Sequence, residues 1–180
     1  MLFLYLTTFA CIKKPVEEID ETPLVSESMT TDGLVEQQID INNDGTGDVF
    51  NYYQEREDGA PRLLVVKKVD LNWDGNIDVE TAFDEDGNIV KESMDGDFDG
   101  RPEWVDHYQG NIRVMTEIDT NYDGKADLFR YYENGIVRRK EQDTDNDGAI
   151  DFWQYLDENG IVTKFGRDLD GDGTMDLRED

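Results

Sequence analysis

Six short acidic loops recur along the chain at a period that few folds can accommodate. The clearest copy is Asp119-Thr120-Asn121-Tyr122-Asp123-Gly124-Lys125-Ala126-Asp127, and equivalents begin at Asp40, Asp70, Asp95, Asp143 and Asp168. The starts are separated by 30, 25, 24, 24 and 25 residues. A period of 24 leaves about 12 residues outside a 12-residue loop, too few for two flanking helices. Two short strands joined by a tight turn do fit the interval.

Within each loop, oxygen-bearing side chains fall at positions 1, 3, 5 and 9. They are Asp40, Asn42, Asp44 and Asp48 in the first, and Asp70, Asn72, Asp74 and Asp78 in the second. Asp95, Asp97, Asp99 and Glu103 form the third set, and Asp119, Asn121, Asp123 and Asp127 the fourth. The last two are Asp143, Asp145, Asp147, Asp151 and Asp168, Asp170, Asp172, Asp176. Position 6 is glycine every time: Gly45, Gly75, Gly100, Gly124, Gly148 and Gly173. Glycine lets the chain turn sharply there without a Cβ clash. Position 7 varies freely (Thr46, Asn76, Arg101, Lys125, Ala149, Thr174), as a residue offering only its backbone carbonyl would.

Asp-Gly clusters also make plain turns, in which one Asx side chain bonds its own backbone. A turn needs one such side chain. Four at fixed offsets, repeated six times, point instead to a hard cation that takes six to eight oxygen ligands. The charge agrees. The formal net charge is −27, and 21 of the 44 acidic residues occupy the four loop positions. Up to six calcium ions are expected; six divalent ions would bring the charge from −27 to about −15. Folding is then expected to be linked to the metal.

Residues 1–10 are apolar and uncharged, and Cys11, the sole cysteine, follows Ala10. Residues 1–11 read as a bacterial lipoprotein signal with Cys11 acylated after cleavage. The plainer alternatives are an ordinary secretory signal or an apolar start of no consequence. The run is too short to span a bilayer. A lone cysteine makes no intrachain disulfide, so metal would act as the staple. Residues 12–31, with Lys13, Lys14, Pro15, several acids and Pro23, read as a flexible acidic tether. Residues 32–180 read as the repeat domain.

Each repeat is expected to run loop, strand, tight turn, strand. First strands such as Val49–Tyr53, Trp104–Tyr108, Leu128–Tyr132 and Phe152–Leu156 are rich in aromatic and β-branched residues. The turns are read at Asp58-Gly59, Asp86-Gly87, Gln109-Gly110, Asn134-Gly135 and Asn159-Gly160, pairs in which both central residues tolerate φ > 0. The first unit is longer around 55–62, where Pro61 suits a turn better than a strand. The fold class is therefore all-β: an antiparallel meander of hairpins, with metal loops along one edge and no clean one-sided core. A propeller blade would need four strands and a longer period.

The nine-residue form, Asp-x-Asp/Asn-x-Asp-Gly-x-x-Asp running into a strand, resembles the calcium loops of integrin-α-like (FG-GAP) repeats. It is similar also to thrombospondin type 3 and dockerin loops and to the first half of an EF-hand. Tandem copies behind a lipoprotein-type signal resemble a group of bacterial surface lipoproteins. The resemblance covers residues 40–180 and is specific within the loops. It implies Asp143, Asp145, Asp147, the Ala149 carbonyl and Asp151 as one calcium ligand set. The equivalents at positions 1, 3, 5, 7 and 9 of the other loops follow, with position 7 represented by Thr46, Asn76, Arg101, Lys125 and Thr174. The bidentate Glu of an EF-hand at position 12 is matched only by Glu179; the other loops hold Asn51, Thr81, Asp106, Arg130 and Gln154. Loops without that Glu are expected to bind weakly, at about 10⁻⁴–10⁻³ M as in extracellular modules.

No nucleophile–base arrangement, phosphate loop or Cys/His zinc cluster is present, and His107, the one histidine, reads as a strand residue. An acidic chain of pI 4.1 repels nucleic acid, so no nucleic-acid partner is expected. Position 4 of three consecutive loops is aromatic: Trp73, Phe98 and Tyr122. Packing against one another or against neighbouring strands is the expectation for them; the alternative is a row that stacks on sugar rings or a partner's side chains. Together these features imply a non-enzymatic, calcium-stabilised domain. It would be lipid-anchored at a bacterial outer membrane or cell surface, with a structural or adhesive role. The alternative is a calcium-dependent module that binds glycan or a surface protein through the aromatic row. A catalytic loop metal is a weaker third reading, since it needs an open position and a nearby acid or base.

Overall fold

A computed structural model of the chain describes residues 24–179. The lipoprotein-type segment with Cys11 and residues 12–23 of the expected tether lie outside the described residues. The chain forms thirteen strands: β1 (Leu24–Met29), β2 (Val35–Asp40), β3 (Val49–Gln54), β4 (Leu63–Val69), β5 (Val79–Phe83), β6 (Ile89–Met94), β7 (Trp104–Gln109), β8 (Ile112–Ile118), β9 (Leu128–Glu133), β10 (Ile136–Gln142), β11 (Phe152–Leu156), β12 (Val162–Arg167) and β13 (Leu177–Glu179). They pair antiparallel in chain order as one sheet, and β1 does not pair with β13, so the sheet is not closed into a barrel. Among the described residues there is no α-helix, only a 3₁₀ turn at Glu57–Gly59. This is the hairpin array that the loop period implies.

One boundary is corrected. The segment 12–31 was expected to be a tether throughout, yet Leu24–Met29 pairs with β2 along its whole length, from Leu24 opposite Asp40 to Met29 opposite Val35. Its side chains are all exposed. The segment is held by backbone pairing with an available edge, which leaves no apolar pattern to read in advance.

All six acidic loops connect strands on one edge of the sheet, and the six remaining connections, five of them shorter than any acidic loop, line the other. The turn register is also corrected. Asn134-Gly135 has positive φ at both residues, as expected, but the β7–β8 turn centres on Gly110 and Asn111 (φ 57° and 62°) rather than on Gln109-Gly110. At Asp86-Gly87 and Asn159-Gly160 only the glycine is left-handed. There Asp84 and Asp157 close the wider turns, their amides bonded to the Asn88 and Ile161 carbonyls at 2.9 Å each. The long first unit uses its insertion sideways. Arg56 donates to the Glu85 carbonyl of the next turn at 2.9 Å, and Arg62 pairs with Glu27 of β1 at 3.1 Å.

Each hairpin from β3–β4 to β11–β12 carries one register shift, which leaves Val65, Val90, Val114, Arg138 and Thr163 without a cross-strand partner. These residues are 25, 24, 24 and 25 apart, in step with the loops. A bulge bends its strand and increases local twist. Five at equivalent positions make the bend a property of the repeat. The buried strand side chains Val35, Thr81, Asp106, Thr116, Ile118 and Leu156 share one face by register, while Asp40 and Trp153 lie on the other. The sheet has no second layer, so the shielding of that face comes from neighbouring strands of the same bent sheet.

Position 12 of each loop lands on that shielded face. A cross-strand row runs through Gln37, Asn51, Lys67, Thr81, Glu92, Asp106, Thr116, Arg130, Lys140 and Gln154 to Phe165 and Glu179. Its members bond one another: Asn51 donates to Gln37 at 3.1 Å, and Thr116 Oγ1 donates to Asp106 Oδ1 at 2.5 Å. Asp106 also pairs with Arg113 at 3.3 Å. His107, on the opposite face, lies 2.7 Å from Glu117 and stands in β7 as read.

Candidate metal sites on the loop edge

The six loops share one hydrogen-bond scheme, and it follows from their residue pattern. The position 1 carboxylate accepts from the position 6 glycine amide. Asp40 takes Gly45 at 2.8 Å, Asp70 takes Gly75 at 2.8 Å, and Asp95 takes Gly100 at 2.7 Å; Asp119, Asp143 and Asp168 do the same with Gly124, Gly148 and Gly173. Position 3 accepts from the position 5 amide, as Asn42 does from Asp44 at 2.9 Å and Asp97 from Asp99 at 3.1 Å. Position 5 accepts from the position 7 amide, as in Asp44–Thr46, Asp123–Lys125 and Asp147–Ala149. Position 9 reaches back to the position 2 amide: Asp48 to Ile41 at 2.7 Å, Glu103 to Gly96 at 2.6 Å, Asp176 to Leu169 at 2.9 Å. Each acid thus gives one lone pair to an amide that fixes its rotamer and keeps further lone pairs for another donor.

The backbone supplies the turn. Position 6 glycines sit at φ 82–95°, and position 4 is left-handed in every loop: Asn43, Trp73, Phe98, Tyr122, Asn146 and Gly171. The position 4 conformation was not anticipated. Asn43, Asn146 and Gly171 were the available signal, since Asn and Gly are the residues that enter this region readily.

Burial sorts the candidate ligand positions. Asp40, Asp48, Asp70, Asp78, Asp95, Asp119, Asp127 and Asp143 are buried, Glu103, Asp151 and Asp168 half-buried and Asp176 exposed, whereas the side chains at positions 3 and 5 are exposed except for the half-buried Asn42. Four apolar residues are buried to the same degree: Val35, Ile118, Trp153 and Leu156. Among the described residues, carboxylates outnumber aliphatics and aromatics in the best-shielded places. Asp40 Oδ1 and Asp78 Oδ1 are shielded from solvent and have no hydrogen-bond partner. A charged oxygen left so is costly unless a cation takes it.

Three loops bring at least three acids together with oxygens within 4.8 Å of one another: Asp95, Asp97, Asp99 and Glu103; Asp143, Asp145 and Asp151; Asp168, Asp170 and Asp176. These are groups that could hold a metal ion. The first contains every acid of the predicted set. Asp147 and Asp172 stand outside the second and third, and so does Glu179, which sits on β13 opposite Phe165. The strand that follows the loop takes position 12 onto the sheet face, where it cannot curl back as the EF-hand Glu does. The other three loops carry Asn at position 3. In all three it donates to position 5, Asn42 to Asp44 and Asn72 to Asp74 at 3.0 Å each, and Asn121 to Asp123 at 3.4 Å.

Local charge tells the same story. Asp44 and Asp74 are held below the usual carboxylate range, first by the Thr46 and Asn76 amides and then by the Asn side chains. Asp99 is lowered chiefly by Arg101, whose guanidinium lies 2.6 Å away and also reaches the Asp123 carbonyl of the next loop at 3.3 Å. Asp170 moves the other way, pushed up by Asp176 first and Asp172 next. Sequence reasoning also missed the hydroxyls of Thr120 and Thr144, which donate to Asp127 at 2.6 Å and Asp151 at 2.8 Å.

No protein-family model matches the chain. No curated protein matches it either. Among solved structures, it is similar to part of the crystal structure of accessory secretory protein 1, 2 and 3 in Streptococcus pneumoniae, with a TM-score of 0.30 and 14% identity over 66% of this chain. The match spans 19% of that chain's length.

Proposed function

We propose that the chain is a calcium-binding repeat domain whose sheet is held by ions at its loop edge. In this reading it is a non-enzymatic structural or adhesive module, carried outside the cytoplasmic membrane of a bacterium on a lipid at Cys11. The observation that supports it is the inverted burial: eight loop aspartates are buried against four apolar residues. A small domain normally gains its stability from apolar burial. Here the sheet is one layer thick, and its most shielded groups repel one another unless divalent ions neutralise them. Calcium suits the loops because it accepts all-oxygen ligand sets of irregular geometry.

The test is a calorimetric titration of the folded chain with CaCl₂, paired with thermal melts in calcium and in chelator. Uptake of several ions per chain and a large fall in Tm on chelation are expected. No uptake, or a Tm indifferent to chelator, would overturn the reading.

A further inference from the structure

The loop edge carries three large side chains that the metal sites do not use. Trp73, Phe98 and Tyr122 are 59%, 43% and 57% exposed. The expectation that they pack against one another is corrected: the one close ring pair among the described residues is Phe152–Phe165, at 6.2 Å. Their backbones are strained as well, with φ of 65°, 66° and 63°. A bulky residue in that region is a genuine outlier, and such strain persists where something other than stability maintains it. Loops one, five and six meet the same requirement with Asn43, Asn146 and Gly171. At three consecutive loops the chain therefore keeps an aromatic ring where Asn or Gly would fold with less strain, and gains little burial for it.

The sheet fixes the spacing. Successive loops lie two strands apart, about 9–10 Å along the edge. An extended β-1,4-linked polysaccharide repeats every second sugar over a comparable length, and the apolar faces of its rings stack on aromatics. Charge selects among polymers: the rings stand among loop carboxylates on a chain of net charge −27, which repels an anionic polymer and tolerates a neutral one. A folded protein partner would need a continuous patch of roughly 800 Å² with an apolar centre. Three rings separated by acidic and glycine residues do not supply it.

We propose that Trp73, Phe98 and Tyr122 form a binding platform for an extended, neutral β-1,4-linked polysaccharide, each ring stacking on every second sugar. This goes beyond the calcium reading and shares with it only the requirement that the loops be formed.

The experiment is a depletion isotherm of the full chain, in CaCl₂, on microcrystalline cellulose and on chitin. The Trp73→Asn/Phe98→Asn/Tyr122→Asn variant serves as its partner, because Asn already occupies this position in two loops. The wild type should bind at least one polymer. The variant should bind at least tenfold more weakly while its Tm stays equal or rises. Wild-type binding to neither polymer, undiminished binding by the variant, or a variant Tm well below wild type would each overturn the proposal. Calcium uptake is measured on the same samples. If uptake is intact and binding absent, the platform alone falls; if binding is intact and uptake absent, the calcium reading alone falls.

Discussion

The amide of Asp70 donates to the carbonyl of Asp48 at 2.8 Å, joining the first residue of the second loop to the ninth of the first. The same link ties Asp95 to Asp78, Asp119 to Glu103, Asp143 to Asp127 and Asp168 to Asp151, at 2.7–3.0 Å. Both partners in every link are candidate metal ligands. Fixing one loop therefore restrains the backbone of a ligand in the next, and the ordering cost of the second ion falls. The Asp119→Ala variant should lose more than one ion from the calorimetric stoichiometry, because the loops on either side weaken with it. Loss of a single ion with the remaining affinities unchanged would show that the loops act independently.

The size of the calcium effect follows from linkage. A site with free calcium at ten times its Kd contributes about 1.4 kcal/mol, so six such sites contribute about 8 kcal/mol. That is comparable to the whole stability of an ordinary domain. Chelation should therefore unfold the chain at room temperature or bring it close to unfolding. Circular dichroism across an EDTA titration reads the outcome, and a spectrum unchanged by chelator would contradict it.

Thr116 is fully buried and gives its hydroxyl proton to Asp106, itself buried on the shielded face. The Thr116→Val change keeps the shape and removes the donor, leaving Arg113 at 3.3 Å as the remaining partner. A cost of about 1–3 kcal/mol is expected, the penalty of a buried group left short of a bond. Urea denaturation in saturating calcium measures it, and a change within error would place the bond's contribution near zero.

Gly166 faces the side chain of Met175, and a Cβ at Gly166 would run into the Met175 thioether. The Gly166→Ala variant should be destabilised by no more than about 1 kcal/mol, because the flexible thioether end of the half-buried Met175 can move aside. Met175→Ala in the same chain should return part of that loss. If the double variant is no more stable than Gly166→Ala, the clash is not the cause.

The turn edge should give an acid limb. Asp157 is held below its ordinary value near 3.8, first by the Ile161 amide, and Asp84 likewise, first by the Asn88 side chain. Their charged forms are favoured in the fold, so their contribution is present above the ordinary value and lost as pH falls through the folded one. In excess calcium, Tm should drop as pH is taken from about 4.5 to about 2.5. The Asp84→Asn/Asp157→Asn variant should show a shallower drop. Equal slopes would assign the acid limb to other carboxylates.

Much of the architecture was legible along the chain. The 24-residue interval between Asp95 and Asp119 admits a hairpin and excludes paired helices, and Gly100 with Gly124 marks where the loops turn. Other features had only partial signals. Asn43, Asn146 and Gly171 pointed to a left-handed position 4, but the intervening Trp73, Phe98 and Tyr122 obscured it. β1 was unreadable because all six of its side chains are exposed and it is held mainly by backbone pairing, with Glu27 bonded to Arg62 and Gln37.

The sequence by itself determined the number of loops, the residues at each candidate ligand position and the meander that joins them, because all of these depend on spacing within a single repeat. Only the tertiary structure decided which of those residues meet. It sent position 12 onto the sheet face, gathered Asp95, Asp97, Asp99 and Glu103 while leaving Asp147 and Asp172 aside, and tied loop to loop through Asp48 and Asp70. The reason is geometric: local pattern fixes what each strand offers, but strand register, bulges and bend are settled between strands, and they determine which side chains face one another.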